Sequence, residues 1–242
     1  MGFDKIKKLA IGVAMMTSVA AAMPASAAVI GDFQLNGDLN NQAGGALTLT
    51  NNGGTLGANG ITFGANQGPT ISGFTSPSAY SVEVAFSFDN LSGYRKILDF
   101  QNLTSDSGLY NLNERLNFYP VVTSGQTNFF TGQMAHLVFT HDATDSWGYI
   151  GNNPALTFSG GNNSLADIGS LLHFFRDDFA TSQGEASSGF VDYIRIYDTA
   201  LTANEVAGLS VSAIPEPETY AMLLAGLGLL GFAARRRKQK AA

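Results

Sequence analysis

Nine consecutive residues, Tyr80 to Phe88, alternate without a break between large apolar side chains and small or polar ones. Neighbouring side chains of an extended strand point to opposite faces. Tyr80, Val82, Val84, Phe86 and Phe88 therefore share one face, and Ser81, Glu83, Ala85 and Ser87 share the other. Burying five large apolar groups at about 1.5–3 kcal/mol each requires a second layer to bury them against. A chain built around such a strand is a layered β-structure.

Similar segments recur along the chain. Before it, Phe33-Gln34-Leu35, Leu47-Thr48-Leu49 and Ile61-Thr62-Phe63 alternate between Asn-Gly and Gly-Gly turns. They read as short strands, against the alternative of a disordered Gly/Asn linker. After it, strands are expected over Tyr94–Phe100, Gly108–Leu112 and Arg115–Tyr119. Ala135–Thr140 and Trp147–Ile150 form a hairpin joined by His141-Asp142-Ala143-Thr144-Asp145, and Gly151-Asn152-Asn153-Pro154 turns the chain again. A last strand over Phe190–Tyr197 leads to Thr202-Ala203-Asn204-Glu205, a capping box that starts one short helix. Many short strands and one helical turn predict an all-β fold, an antiparallel jelly-roll β-sandwich.

Both ends of the chain have a different character. Lys5, Lys7 and Lys8 precede an apolar run from Leu9 to Met23 and the small-residue site Ala25-Ser26-Ala27, the pattern of an export signal over residues 1–27 cut by signal peptidase beyond Ala27. At the other end, Pro215-Glu216-Pro217-Glu218 is followed by sixteen uncharged residues, 219–234, and then by Arg235, Arg236, Arg237, Lys238 and Lys240. As a helix the run would be about 24 Å long, close enough to a hydrocarbon core of about 30 Å to span it as a single transmembrane helix. The basic end would stay cytoplasmic and the bulk of the chain would lie outside the inner membrane. Residues 28–212 remain as one domain, with five Lys and Arg against twelve Asp and four Glu, a formal charge of −11. That acidity argues against nucleic acid as a partner. The absence of cysteine leaves stability to packing.

The order Pro-Glu-Pro, apolar run, Arg cluster over residues 213–242 resembles the PEP-CTERM sorting signal of Gram-negative bacteria. The resemblance implies export, recognition of Pro215, Glu216 and Pro217 by an exosortase, and delivery to the cell surface or exopolysaccharide matrix. The series YSVEVAFSF, GQMAHLVFTHDATDSWGYIGNN and GFVDYIRIYDTALTANEVAGL is similar to the laminin-G-like (LamG-like) domains of the concanavalin A-like superfamily. The closing strand carries the match through Asp192, Ile194, Arg195, Ile196, Tyr197, Ala200, Leu201, Thr202 and Glu205. Gln133-Met134 departs from the pattern where a tryptophan is usual.

Candidate chemistry is sparse. His136, His141 and His173 lack metal-ligand spacing and are expected to be structural. Glu83 has no paired carboxylate on its strand and is expected in a solvated or hydrogen-bonded surface role. Asp177, Asp178, Glu185 and Asp192 form an acidic set that could coordinate calcium at the rim of a sandwich, although Arg176 or Arg195 could neutralise it. Trp147, Tyr149, Tyr193 and Tyr197 would suit stacking on sugar rings if they line an open sheet, and a lone tryptophan also fits a core position. The sequence thus points to a non-catalytic binding or adhesion module for carbohydrate. An envelope polysaccharide hydrolase or lyase and a structural matrix protein without a small ligand are the alternatives.

Overall fold

The computed structural model describes residues 27–209. Residues 1–26 of the export signal, with Ala25, the sorting residues Pro215, Glu216, Pro217, Arg235, Arg236 and Arg237, and the apolar run 219–234 lie outside them; Ala27 is the first described residue. No described helix is long and apolar enough to cross a membrane.

Fifteen strands follow one another. The first five are short: β1 (Val29–Phe33), β2 (Thr48–Thr50), β3 (Thr55–Gly57), β4 (Gly60–Phe63) and β5 (Thr70–Ser72). Next come β6 (Tyr80–Phe88), β7 (Tyr94–Asp99), β8 (Gly108–Leu112), β9 (Arg115–Tyr119) and β10 (Val122–Thr123). The last are β11 (Ala135–His141), β12 (Asp145–Ile150), β13 (Asn153–Ser159), β14 (Leu171–Phe174) and β15 (Gly189–Tyr197). A 3-10 helix over Gly160–Ala166 and α1 (Ala203–Gly208) complete the described chain. One sheet has the order β13-β12-β11-β6-β15-β4-β3, with β1 also paired to β15; the other has the order β10-β9-β8-β7-β14-β5-β2. Every pairing is antiparallel.

The alternating segment is β6, at the centre of its sheet, and its apolar face packs on the opposite sheet. Phe118, Phe139 and Phe158 form a cluster with ring centroids 4.3–6.4 Å apart, and Phe63 stacks on Phe175 at 4.5 Å. Phe33, Ile61 and Phe63 are buried, so the glycine-rich start is a set of core strands and not a linker. The capping box forms as expected: Thr202 accepts from the Glu205 amide, and the Glu205 carboxylate accepts from the Thr202 amide.

β5, β10, β13, β14 and the 3-10 helix have no counterpart in the sequence reading, and two of its expectations are corrected. Pro154, taken as part of a turn, sits within β13, which is possible because β13 is an edge strand whose missing N–H has no ladder partner to lose. The polar face of β6 is as buried as its apolar face. Ser81 Oγ donates to Thr199 O and accepts from the Leu201 amide, so the segment after β15 lies across it. Leu201, just before the helix cap, and Val206 of α1 pack there on Val138, Tyr149 and Tyr197.

Strand register defines two ends of the sandwich. His141 pairs with Tyr80, and Tyr197 pairs with Ser81, at one end. Phe86 pairs with Ala135, and Phe88 pairs with Gly189, at the other.

Candidate functional site

An open cavity of about 990 Å³ occupies the Tyr80–His141 end. Loops from both sheets build it: Ser76–Ser78 before β6, Phe100–Asn102 after β7, Ala143 between β11 and β12, and the 3-10 helix with the segment to Gly169. Two histidines, one per sheet, fix its walls.

His141 ends β11. Its Nδ1 lies 2.9 Å from Ser146 Oγ, and its Nε2 lies 3.0 Å from Asp167 Oδ1. Ser146 Oγ donates to Asn163 Oδ1 at 2.7 Å, and Asn163 Nδ2 donates to Asp142 O at 2.7 Å. The hydroxyl gives its one proton to Asn163, so the neutral His141 ring, with one N–H, can donate to either Ser146 Oγ or Asp167 Oδ1, and only the imidazolium donates to both. Burial pulls the His141 pKa down and outweighs the opposing pull of Asp167.

His173 of β14 holds the other wall. Its Nε2 donates to Asn102 Oδ1 at 3.1 Å, while Nδ1 accepts from Thr70 Oγ1 at 2.8 Å and faces Arg176 at 3.4 Å. This arrangement satisfies the neutral ring and leaves a second proton no acceptor. Burial and the charge of Arg176 accordingly push the pKa down to about 4. Gln101 is tied back through Nε2 to Leu165 O. Asn102, Ser164 and Asp167 stand exposed on the rim.

Ser146, His141 and Asp167 have the connectivity of a nucleophilic triad with the exposure reversed. The serine is fully buried, its proton is committed to Asn163, and the Asp167 side chain is 62% exposed. A nucleophile must be reachable by substrate, and the Ser146 side chain is buried. The cluster braces a wall.

The residues singled out in the sequence lie elsewhere. Glu83 is fully buried, which corrects the surface role expected for it. It accepts from His136 Nε2 at 3.0 Å, Tyr193 OH at 2.9 Å and Tyr197 OH at 2.6 Å, with Arg195 Nη1 at 3.5 Å. Burial alone would raise its pKa, but the hydrogen bonds from His136, Tyr197 and Tyr193 and the charge of Arg195 outweigh that and hold it below the usual range. Tyr193 and Tyr197 are consumed in this network, and Tyr149 is buried beneath Trp147 with rings 6.3 Å apart. Trp147, 39% exposed, is the one of the four aromatics left with an open face. They do not form a platform because β15 turns its two tyrosines onto a carboxylate of β6.

The acidic set does not converge either. Asp177 Oδ2 accepts from the Glu185 amide and Thr181 Oγ1, and Asp178 Oδ1 accepts from the Thr181 amide, so this pair shapes its own loop. Asp178 Oδ2 lies 3.0 Å from Lys96 Nζ. That ammonium also faces Asp106 O and Ser107 O at 3.4 Å, Asp99 Oδ2 at 3.7 Å and the Tyr110 ring at 4.3 Å. A calcium ion bound at about 2.3–2.6 Å to the same oxygens would have to displace it. Asp192 sits apart, at the bulge of β15. Among the described residues no group of three His, Cys, Asp or Glu is placed to hold a metal.

Residues 213–238 match the PEP-CTERM protein-sorting motif. The chain carries an export-and-sorting tail. The motif marks an exported protein handled by an exosortase and anchored in a membrane during sorting. No curated protein matches the chain. Among solved structures, Domain 4 of AbnA, a GH43 extracellular arabinanase from Geobacillus stearothermophilus in complex with arabinotriose, is 18% identical with a TM-score of 0.53, and the alignment covers 76% of this chain and 98% of that one. Trypanosoma rangeli sialidase is 15% identical (TM-score 0.52; 74% and 32% covered), and the binding domain of Paraclostridial Mosquitocidal Protein 1 is 13% identical (TM-score 0.56; 74% and 50% covered). The chain therefore spans about a third of the sialidase and half of the mosquitocidal binding domain. These likenesses show the fold, a two-sheet sandwich consistent with the concanavalin A-like architecture.

Proposed function

We propose that this PEP-CTERM protein is a cell-surface or matrix component whose sandwich binds carbohydrate without catalysis, through the cavity at the Tyr80–His141 end. The observation that carries this reading is the composition of that cavity. Amide, hydroxyl and carboxylate groups from Gln101, Asn102, Ser164 and Asp167 surround an open space of about 990 Å³, and its serine–histidine pair is turned inward. Convergent polar groups fixed by buried supports are what recognition of hydroxyl-rich ligands requires. The arabinotriose bound to one structural neighbour and the sialidase activity named for another support the same ligand class.

The test is a glycan array on the exported protein, run with calcium and with chelator, followed by titration of any hit. Asn102→Ala and Asp167→Ala should each weaken binding at least about tenfold, the loss of one or two hydrogen bonds to a bound sugar. Tyr193→Phe and Trp147→Ala should leave binding unchanged. A blank array, or turnover of a bound oligosaccharide, would overturn the reading. A blank array with intact self-association would point to a structural matrix protein.

A further inference from the structure

The chain leaves the described sandwich at a definite place. Leu209 follows α1, and its carbonyl accepts from Asn152 Nδ2 at 3.0 Å. Asn152 lies in the turn between β12 and β13, at the Phe88–Ala135 end and thus opposite the cavity. Five residues separate Leu209 from Pro215, at most about 20 Å of extended chain. Whatever holds the sorting motif holds this end of the sandwich close to it.

The same end carries an unusual loop. Between β10 and β11, Ser124 to Met134 reads SGQTNFFTGQM, eleven residues without a charge in an otherwise acidic domain. It is firmly mounted. Asn128 Oδ1 accepts from the Leu116 amide, the amides of Asn128 and Phe129 donate to Glu114 O, and the Gly132 amide donates to Phe88 O. Phe129 is buried, with its ring 6.0 Å from Phe86. Its neighbour Phe130 points outward at 57% exposure, and Met134 is 40% exposed. A rigid loop with an aromatic tip, an exposed methionine and no charge can enter the membrane interface without a desolvation penalty for ions.

From this juxtaposition we infer that the 124–134 loop rests on the membrane while the tail is anchored, seating Phe130 and Met134 in the lipid interface and directing the glycan cavity outward. Two side chains are too little apolar surface to bind lipid from solution. A tether of nine residues, 210–218, between the sandwich and the apolar run raises the local concentration of membrane to about millimolar, which makes weak contacts sufficient. Asp89 and Glu114 at the same end favour zwitterionic over anionic headgroups. The inference rests on the sorting-tail reading, and on the cavity only for what is presented outward.

Because the chain has no cysteine, single-cysteine labelling is free of background. The full chain is reconstituted in phosphatidylcholine vesicles with an environment-sensitive fluorophore at Phe130→Cys, Met134→Cys, Ser164→Cys or Ala225→Cys, and brominated lipid is added as quencher. The labels at 225, 130 and 134 should lose most of their emission, and the label at the cavity rim, 164, should lose none. Quenching at 225 with both loop labels water-exposed would overturn the inference and leave the tail anchored. Quenching at 164 as well would overturn the outward orientation. No quenching at 225 would refute the anchoring itself, and the loop inference with it.

Discussion

Lys96 Nζ and Asp178 Oδ2 face each other at 3.0 Å with both side chains fully buried, which makes this pair the internal cation of the β7 side of the sandwich. Burial raises the pKa of Asp99 more than the Leu103 amide and Lys96 lower it, whereas for Asp178 the bond and charge of Lys96 overcome burial and lower it. The ammonium is thus committed mainly to Asp178. Lys96→Met would leave that carboxylate buried without its partner and should cost about 3–5 kcal/mol in urea unfolding. Calcium and chelator should leave the melting temperature of the natural protein unchanged. A rise of several degrees with calcium would show that the ion displaces the amine.

Glu83 makes a different prediction. Its partners His136, Tyr193 and Tyr197 would each keep a buried polar group without an acceptor in Glu83→Leu, so stability should fall by about 3–5 kcal/mol. Its pKa is depressed in the fold, so its contribution is fully present above the unfolded value and is lost as pH drops through the folded one, below about 4.5. Glycan affinity at saturating folded protein should be unaffected, since the cavity is lined by other residues. Loss of binding at full folding would relocate the site to the outer face of β6.

The reach of the sequence follows from these two clusters. Strands such as β6 and β15 were legible because alternation at period two is local, and so was the Thr202–Glu205 cap. Glu83 was misplaced because its partners lie 53, 110 and 114 residues away, and pairing across strands brings them together. Lys96 and Asp178 are 82 residues apart for the same reason. The cavity drew no notice because each of its loops is an ordinary Gly, Asn or Ser turn. The trace that could have found it is that Gln101, Asn102 and His141 follow predicted strand ends, whereas Asp167 lies in a stretch where no strand was expected.

Export should leave Ala28 as the first residue. Its amide nitrogen lies 2.9 Å from Asp198 Oδ1, so cleavage after Ala27 would convert that hydrogen bond into an exposed ion pair of up to about 1 kcal/mol. N-terminal sequencing of the exported protein should begin Ala-Val-Ile-Gly. A start inside β1 would be incompatible with its pairing to β15.

Acid should open the cavity before it unfolds the sandwich. His173 is held neutral by donating to Asn102 and accepting from Thr70 beside Arg176, and its pKa of about 4 lies below the ordinary value of 6.5. His141 is shifted the same way. A histidine depressed in the fold contributes stability that is fully present above the unfolded pKa and is lost as pH falls towards the folded one, so the window is about pH 6.5 to 4. For His173 the loss is on the order of 3–4 kcal/mol at most. Protonation at Nδ1 removes the acceptor for Thr70 and sets a second positive charge against Arg176, so the ring must shift and Asn102 shifts with it. Glycan affinity should therefore decline across this window while far-UV circular dichroism is still native. His173→Gln, which can donate to Asn102 but does not titrate, should flatten that decline. An affinity in this variant that still follows the natural protein's pH curve would assign the effect to His141, whose link to Asp167 is the remaining titratable brace of the cavity.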